Sequence, residues 1–241
     1  MRKLVTLVLG VFCAAFSFSQ NENAYSSSQA GIENAITLYN RFTGSNAPLY
    51  NGKEYVFYTF RMRGDPYFAT TKFSQGWVSY EGKKYDSLSL LYDLSRNELV
   101  ILTADQKSAI VLHNESVDSF GFSDNKFIKL EKDEKMHLDY AGFYNLLYDG
   151  HIQILARRKK VISDLIENYA VIMLFSSQDR FYILKNGMYY PVSKSKDVFD
   201  VLADKRKQLK KMLRRNHIKI KKNDFENSLM KAAEFYDEIG Q

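Results

Sequence analysis

The sequence predicts an α+β fold: a long antiparallel β meander, preceded by a short N-terminal helix and followed by two C-terminal helices. Between residues 49 and 193, short apolar or aromatic runs alternate with turn dipeptides such as Asn-Gly at 51–52 and 186–187 and Asp-Gly at 149–150. These dipeptides favour tight hairpins. After residue 193 the apolar residues recur at helical spacing instead. The composition, 45% hydrophobic with only 3 Pro, is typical of a packed domain rather than of a disordered chain.

The first 19 residues have the layout of a secretory signal peptide. Arg2 and Lys3 provide a positive start, an apolar run follows, and Ser17 and Ser19 supply small residues for cleavage before Gln20. The run is shorter than the roughly 20 residues that a membrane-spanning helix needs. We therefore expect export across the inner membrane and a location in the periplasm or at the periphery of the outer membrane.

The remaining chain is predicted to be one domain, 20–241. It comprises a leader with a short helix (20–48), an antiparallel β core (49–193) and a basic helical pair (194–241). The only cysteine, Cys13, lies in the predicted signal peptide. The mature chain would therefore have no disulfide, no cysteine nucleophile and no cysteine metal ligand.

Twelve strands are predicted in the β core. Their short connections imply antiparallel neighbours, because parallel strands need long crossovers. A meander of this size curls, splits into two sheets or closes into a barrel, and the sequence leaves these outcomes open. The run at 169–175 is predicted to be a buried strand. The twelve ranges are 55–60, 77–80, 88–94, 99–103, 109–113, 117–122, 126–130, 143–148, 151–157, 170–175, 180–184 and 188–192.

One short pattern occurs twice. Residues 50–55 (YNGKEY) and 80–85 (YEGKKY) share the form Tyr-x-Gly-Lys-x-Tyr. A repeated structural unit such as a propeller blade would produce this pattern. The simpler interpretation, which we favour, is that a tyrosine-rich hairpin protein uses the same turn twice.

The C-terminal part predicts a helix with one apolar and one basic side. Between residues 194 and 222, 12 Lys and Arg stand against 3 Asp, a local net charge of +9. A second helix begins after Asn223, a residue suited to capping it. On the first helix the apolar residues Val198, Leu202, Leu209 and Leu213 lie opposite the cations Lys207, Lys210, Lys211 and Arg214, and on the second Phe225, Leu229, Ala233 and Tyr236 face inward.

The basic side of the first helix is the feature that most suggests a function. It could contact an acidic protein partner or an anionic membrane surface. Nucleic acid is a poor candidate, because the chain is expected to be exported. The alternative is that these lysines are simply the solvated side of a helix packed on the sheet.

Two other functions remain open at this stage. Tyr67, Phe68, Trp77 and Tyr80 could form a stacking surface in a module that binds carbohydrate or peptide, although β-sheet cores use the same residue types.

The other is a hydrolase, which needs two carboxylates across a cleft. Its candidates lie among aromatic residues, and the four histidines lack metal-ligand spacing. We assign no catalytic residue, no metal and no cofactor. The carboxylates in question are Glu54, Asp65, Asp93, Asp139 and Asp149.

Several segments together resemble an uncharacterised family of exported proteins common in Bacteroidota. They are residues 49–55 (LYNGKEY), 64–68 (GDPYF), the hairpin at 80–94 with LLYD at 90–93, and GFY at 142–144 before LYDG at 147–150. The lysine-rich helix and the final helix match as well. The resemblance implies an exported protein and a non-enzymatic role, and it carries no functional residues. Together with the basic helix, it predicts a non-enzymatic envelope protein that acts by binding.

The signal peptide gives the first testable prediction. In its native host the mature protein should begin at Gln20, because Ser17 and Ser19 form the cleavage signature. Intact-mass spectrometry of protein from the envelope fraction measures this directly. A mass that retains Met1 would contradict it.

Overall fold

The computed structural model describes residues 48–59, 62–167 and 169–239. The predicted signal peptide and N-terminal helix lie outside these residues. Within them are thirteen β-strands and three α-helices. The strands are β1 (Lys53–Glu54), β2 (Ser74–Tyr80), β3 (Lys83–Asp93), β4 (Glu98–Leu102), β5 (Ala109–Val111), β6 (Val117–Phe122), β7 (Asn125–Leu130), β8 (Gly142–Asp149), β9 (Gln153–Arg157), β10 (Lys160–Glu167), β11 (Ala170–Ser177), β12 (Arg180–Lys185) and β13 (Met188–Val192). The helices are α1 (Ser195–Val201), α2 (Arg206–Arg215) and α3 (Phe225–Glu238).

Eleven strands form one antiparallel sheet in the order β1-β5-β4-β3-β2-β6-β7-β8-β9-β12-β13. Most neighbours in the sheet are also neighbours in the chain, as short connections require. The predicted antiparallel meander is therefore confirmed. β1 and β13 form its two edges, so the sheet is open and the barrel alternative is wrong. Among the strands, β10 and β11 pair only with each other, as a hairpin inserted between β9 and β12 in the chain, and Arg63 adds one isolated bridge to β11.

The turn dipeptides provide the backbone angles that tight hairpins need. Glu81 and Gly82, between β2 and β3, have positive φ angles, and so do Asn186 and Gly187, between β12 and β13. Consecutive positive φ angles match the right-handed twist of the flanking strands. The predicted turns at these two places are therefore confirmed.

Gly150, between β8 and β9, is required for space. A Cβ atom there would lie 2.1 Å from Oδ2 of Asp237 in α3. This oxygen accepts hydrogen bonds from the Tyr148 hydroxyl at 2.9 Å and from the His151 N–H at 2.8 Å. Burial and the hydrogen bond to Asp237 raise the pKa of Tyr148 to about 12. The β8–β9 turn thus joins α3 to the sheet.

The structure differs from the predicted strands in three places. The strand predicted at 55–60 is wrong, because only Lys53–Glu54 pairs, with β5, and the chain then runs on irregularly to Thr59. β10 was not predicted. The run at 169–175 does form a strand, but it is not buried: Val171 and Met173 are 67% and 41% exposed.

The largest core is an aromatic cluster on one face of β2, β3, β4 and β6–β8. Phe120 and Phe127 stack with their ring centroids 4.7 Å apart. Tyr92 meets both rings edge-on at 5.2 Å, and Phe68 meets Phe127 at 5.0 Å. Such pairs contribute about 0.5–1.5 kcal/mol each beyond the burial of their surface. Burial raises the pKa of the Tyr92 hydroxyl, which donates a hydrogen bond to Asn97.

β4 is buried on both faces. In β4, Leu99 and Ile101 belong to the aromatic cluster, while Val100 packs on the other side with Tyr55. The irregular segment after β1 therefore forms a cover for this second face. Strands buried on both faces are expected to be continuously apolar, as β4 is.

The C-terminal part forms three helices rather than two. The apolar face predicted for the first helix is buried, and that prediction is confirmed, but a 3-10 turn at Ala203–Lys205 separates α1 from α2. The inward side predicted for α3 is confirmed as well. Its N-cap is Asp224 rather than Asn223, so that detail is wrong. No helix in the described part of the chain is long and apolar enough to cross a membrane.

Arg158, between β9 and β10, ties the sheet to α3. Its guanidinium donates to both carboxylate oxygens of Glu226 in α3 at 2.7 Å, and to Asp179 at 2.8 Å. It also donates to the side-chain oxygen of Asn145, a fully buried residue of β8. Burial alone would lower the pKa of Arg158, but Glu226 and Asp179 raise it. One side chain thus fixes three distant elements.

Replacing Arg158 with Met should lower the free energy of unfolding by about 3 kcal/mol, because the two carboxylates would remain without their cation. Urea unfolding followed by circular dichroism measures the change. Lys132→Met is a suitable control, since its ion pair with Glu134 is exposed and screened by solvent and should contribute little to stability. Equal, small losses in both variants would contradict the role given to Arg158.

Candidate interaction surface

The predicted cations lie on α2, whose position is fixed by apolar packing. Leu209 and Leu213 are buried and belong to the same core cluster as Leu229 of α3. They lie four residues apart, so they share one side of the helix. This side holds α2 to the domain and leaves the opposite side to solvent.

The structure brings the four predicted cations together on that exposed side, which we call the basic face: Lys207, Lys210, Lys211 and Arg214. All are exposed except Lys210, which is half-buried with its ammonium group 5.0 Å from the ring centroid of Phe199. A cation over an aromatic ring is attracted to it. At a rise of about 1.5 Å per residue, the basic face extends about 10 Å along the helix.

A hydrogen-bonded group holds the junction between α1 and α2. The Lys185 ammonium group, from β12, donates to Asp204 at 2.6 Å and to the carbonyl of Val201 at 3.1 Å. The Tyr236 hydroxyl, from α3, donates to the other oxygen of Asp204 at 2.7 Å. Lys205 donates to the Tyr236 carbonyl at 3.0 Å. The start of α2 is therefore fixed to both the sheet and α3.

The three aspartates between residues 194 and 222 all form contacts within the domain. Burial alone would raise the pKa of Asp204, but the hydrogen bonds from Lys185 and Tyr236 lower it below its ordinary value. Asp197 accepts from the Ser193 N–H at the start of α1, which lowers its pKa. Asp200 pairs with Arg206 at 3.4 Å.

The cations that follow along the chain have no such partners. Among the described residues, eight Lys and Arg side chains between 207 and 222 form no ion pair with a carboxylate, and we call them the basic segment. Many cations of the sheet are paired, as Lys53 is with Glu98. The positive charge of the basic segment is therefore uncompensated within this part of the chain. Its members are the four residues of the basic face together with Arg215, Lys219, Lys221 and Lys222.

The four aromatic residues proposed for ligand stacking do not share one surface. Tyr80 is buried in the aromatic cluster, and Phe68 is partly buried at the side of that cluster. Tyr67 is buried in a different cluster with Tyr55, on the other face of the sheet. Trp77 alternates with Tyr80 and Val78 along β2 and so points to the opposite side.

Trp77 lies flat against the backbone of the neighbouring strand. A Cβ atom on Gly121 of β6 would be 2.7 Å from its ring nitrogen, so only glycine leaves room for the ring. The Lys84 ammonium group lies 5.6 Å from the ring centroid. The half-buried indole is thus positioned by packing against β6, and it belongs to neither of the core clusters that contain the other three candidates.

The carboxylates considered for hydrolysis are also placed. Asp93 is fully buried and accepts hydrogen bonds from the Tyr55 hydroxyl at 2.8 Å and from two N–H groups of the β3–β4 turn. Asp65 pairs with Lys160 at 3.0 Å, and Asp149 accepts from Gln153. Glu54 and Asp139 are exposed. Within the described residues, no three His, Cys, Asp or Glu side chains are grouped to hold a metal ion.

Comparison with known protein families, curated protein sequences and solved structures finds no match for this chain. The resemblance to an exported family of Bacteroidota therefore stays a prediction. Support for a function comes from the geometry and charge of the described residues.

Sequence reasoning singled out the four residues of the basic face but left out four other unpaired cations, Arg215, Lys219, Lys221 and Lys222. The charge count over 194–222 was the signal that could have identified them. What the count could not show was which cations are neutralised. Lys205 donates to the Tyr236 carbonyl of α3, and Lys185 pairs with Asp204. Only the fold reveals these contacts.

Asp204 makes the stability of the helical unit depend on pH. The pKa of Asp204 is lower in the folded state than in the unfolded state, where it is about 4. The carboxylate therefore contributes fully to the free energy of unfolding above about pH 4, and this contribution is lost as the pH falls through the lower, folded-state pKa. Asp204→Asn should therefore reduce stability by about 1 kcal/mol at pH 7, since the carboxylate is half-exposed, and the difference from wild type should shrink towards pH 3.

Urea unfolding at both pH values measures this difference. Asp139→Asn, at an exposed position, provides the control and should leave stability nearly unchanged. A deficit for the Asp204 variant that is the same at both pH values would contradict the charged hydrogen bonds as its source.

Proposed function

We propose that this chain is an exported, non-enzymatic protein of the cell envelope that binds an acidic segment of another protein on the basic face of α2. The observation that carries the proposal is the uncompensated charge of the basic segment. The three aspartates that precede it, Asp197, Asp200 and Asp204, are held by structural contacts, while its eight cations form no ion pair with a carboxylate among the described residues. Such a charge field attracts an oppositely charged partner.

An acidic protein segment suits this surface better than a lipid bilayer. Helices that bind at a membrane interface bury an apolar side among the lipids. In α2 that side, with Leu209 and Leu213, is already buried against the domain. Attachment to a bilayer would therefore depend on charge alone. A chain of carboxylates can instead follow the row of cations along the helix, and Arg214 can bind a carboxylate through two parallel hydrogen bonds.

The chemistry of the surface also predicts how it binds. Exposed ion pairs contribute only about 0.2–1 kcal/mol each, so useful affinity requires several of the cations to act together. Charged surfaces mainly increase the rate of association, and salt screens them over about 8–10 Å. We therefore expect fast, salt-sensitive binding.

The stacking and hydrolase alternatives have less support. Tyr67, Phe68, Trp77 and Tyr80 are divided between separate cores and opposite faces of the sheet. Asp93 is fully buried and hydrogen-bonded, which leaves it poorly placed to meet a substrate.

The proposal is tested with a variant in which Lys207, Lys210, Lys211 and Arg214 are all changed to Gln. Binding of a fluorescent oligoglutamate peptide at low salt, followed by anisotropy, should weaken about tenfold or more, because four attractions of a few tenths of a kcal/mol are lost. The dependence on salt should become shallower in the variant. Because Leu209 and Leu213 are unchanged, the variant should keep its fold, and thermal melting checks this.

A matched control removes the same charge elsewhere: Lys72, Lys107, Lys126 and Lys135, all exposed and distant in sequence from α2, are changed to Gln. The control should bind the peptide almost as wild type does. Equal weakening in both variants would show that net charge, rather than the basic face, attracts the peptide. Binding to vesicles of anionic phosphatidylglycerol in preference to the peptide would contradict the choice of a protein partner.

A further inference from the structure

The β10–β11 hairpin is apolar in a way that its surroundings do not explain. Ile162 and Ile166 in β10 are 47% and 77% exposed, and they lie on the same face as Val171 and Met173 in β11. The run 170–175 of β11 is as continuously apolar as the run 99–102 of β4, but the residues of β4 are buried on both faces. A strand with this composition normally has a cover.

One edge of the hairpin is occupied and the other is open. Along β11, Arg63 donates its N–H to the Met173 carbonyl at 3.0 Å and accepts from the Phe175 N–H at 3.0 Å. Its guanidinium also pairs with Glu167. Arg63 therefore forms a single parallel bridge with Leu174 of β11, whereas the outer edge of β10 beyond Lys160 has no backbone partner among the described residues.

The alternation of hydrogen bonds along β10 identifies which of its backbone groups point away from β11. Gln178 donates to the Lys159 carbonyl, and Lys160 donates away from the hairpin to the Leu94 carbonyl. Outward groups alternate along an antiparallel strand, so the N–H and C=O of Ile162, Asp164 and Ile166 face the open edge. Among the described residues, none of these groups has a backbone partner.

Asp164, the middle residue of this edge, is the one whose charge is uncompensated. The nearby charges of Lys160 and Glu167 are paired with Asp65 and Arg63. Asp164 is exposed and has no ion pair within the described part of the chain. Pairing of two copies through this edge would bring their Asp164 side chains close together, and like charges across strands are destabilising. The edge therefore suits a different chain with a positive residue.

We propose that the outer edge of β10 binds an extended strand of another protein, in which a Lys or Arg flanked by two apolar residues faces Asp164. The added strand forms main-chain hydrogen bonds with the outward groups of Ile162, Asp164 and Ile166. Since alternate side chains share one face, its pattern is apolar-x-basic-x-apolar. The cation pairs with Asp164, and the apolar residues pack beside Ile162 and Ile166.

This site is independent of the basic face in residues and in the sign of its charge. The basic face attracts an acidic segment, whereas the β10 edge selects a basic residue between apolar ones. Either proposal can fail without the other.

The test uses two synthetic peptides, Thr-Ile-Thr-Lys-Thr-Ile-Thr and the same peptide with Glu in place of Lys, and the full mature protein. Wild type should bind the Lys peptide about fivefold more tightly, because an attractive cross-strand pair replaces a repulsive one. Asp164→Lys should reverse this preference. Without Arg2 and Lys3 the mature chain has 32 Lys and Arg against 28 Asp and Glu, a net charge of +4 that favours the Glu peptide, so a preference for Lys reports the local effect of Asp164.

Two further measurements separate the alternatives. Both peptides are also measured against the variant with four Gln on α2, which removes attachment of the Glu peptide to the basic face. A Lys peptide that is N-methylated at alternate residues lacks the donors for strand pairing and should lose its binding.

Several results would overturn the proposal: equal affinity for both peptides, no reversal in Asp164→Lys, undiminished binding of the methylated peptide, or no binding of either peptide. Wild-type protein that dimerises in analytical ultracentrifugation, with the dimer dissociated by the Lys peptide, would assign the edge to a second copy instead. Because Asp164 is exposed, its replacement should leave the melting temperature unchanged, and Asp164→Asn provides an intermediate case.

Discussion

The burial of Arg158 is the constraint on which the arrangement of the domain depends. A guanidinium removed from water needs partners for its charge and its donors, and here they come from Asn145 in β8, Asp179 before β12 and Glu226 in α3. All three must be in place together for the burial to be tolerated. The helical unit, the start of β12 and the base of the β10–β11 hairpin are therefore positioned relative to one another, and both candidate surfaces inherit that placement.

The hairpins could be predicted because their chemistry is local. Asn186-Gly187 adopts positive φ angles that both residue types favour, and Gly82 does the same after Glu81. The same Tyr-x-Gly-Lys-x-Tyr pattern gave a wrong prediction at residues 50–55, where contact with a distant strand determines the structure. Gly52 shares the Tyr-x-Gly-Lys-x-Tyr pattern with Gly82, yet it lies against β5, where a Cβ atom would meet the Val111 carbonyl at 1.9 Å. The pattern is thus one sequence with two structural roles, a turn and a close approach, and not a repeated blade.

Burial was harder to predict than secondary structure. The sequence shows an apolar stripe from Val198 to Leu213. Leu202 and Leu209 lie seven residues apart, which is the spacing of one continuous helix. The 3-10 turn between α1 and α2 therefore cannot be recognised from the spacing. What fixes the break is the contact of Asp204 with Lys185 and Tyr236, two residues far away in the chain. The basic face followed from spacing alone, whereas the exposure of β11 could not, since its apolar run is the same as that of a buried strand.

The two candidate surfaces differ in what determines their strength. The basic face offers charge without accompanying apolar contact, so salt weakens it and many acidic sequences satisfy it. The β10 edge offers main-chain groups whose directions are fixed by the hairpin, so a partner must be extended and in register before it gains anything. Asp164 adds selection by sign and opposes self-pairing, which is a common protection for open strand edges. A partner with an acidic stretch and a separate strand containing a basic residue would use rapid charge attraction for encounter and strand pairing for specificity.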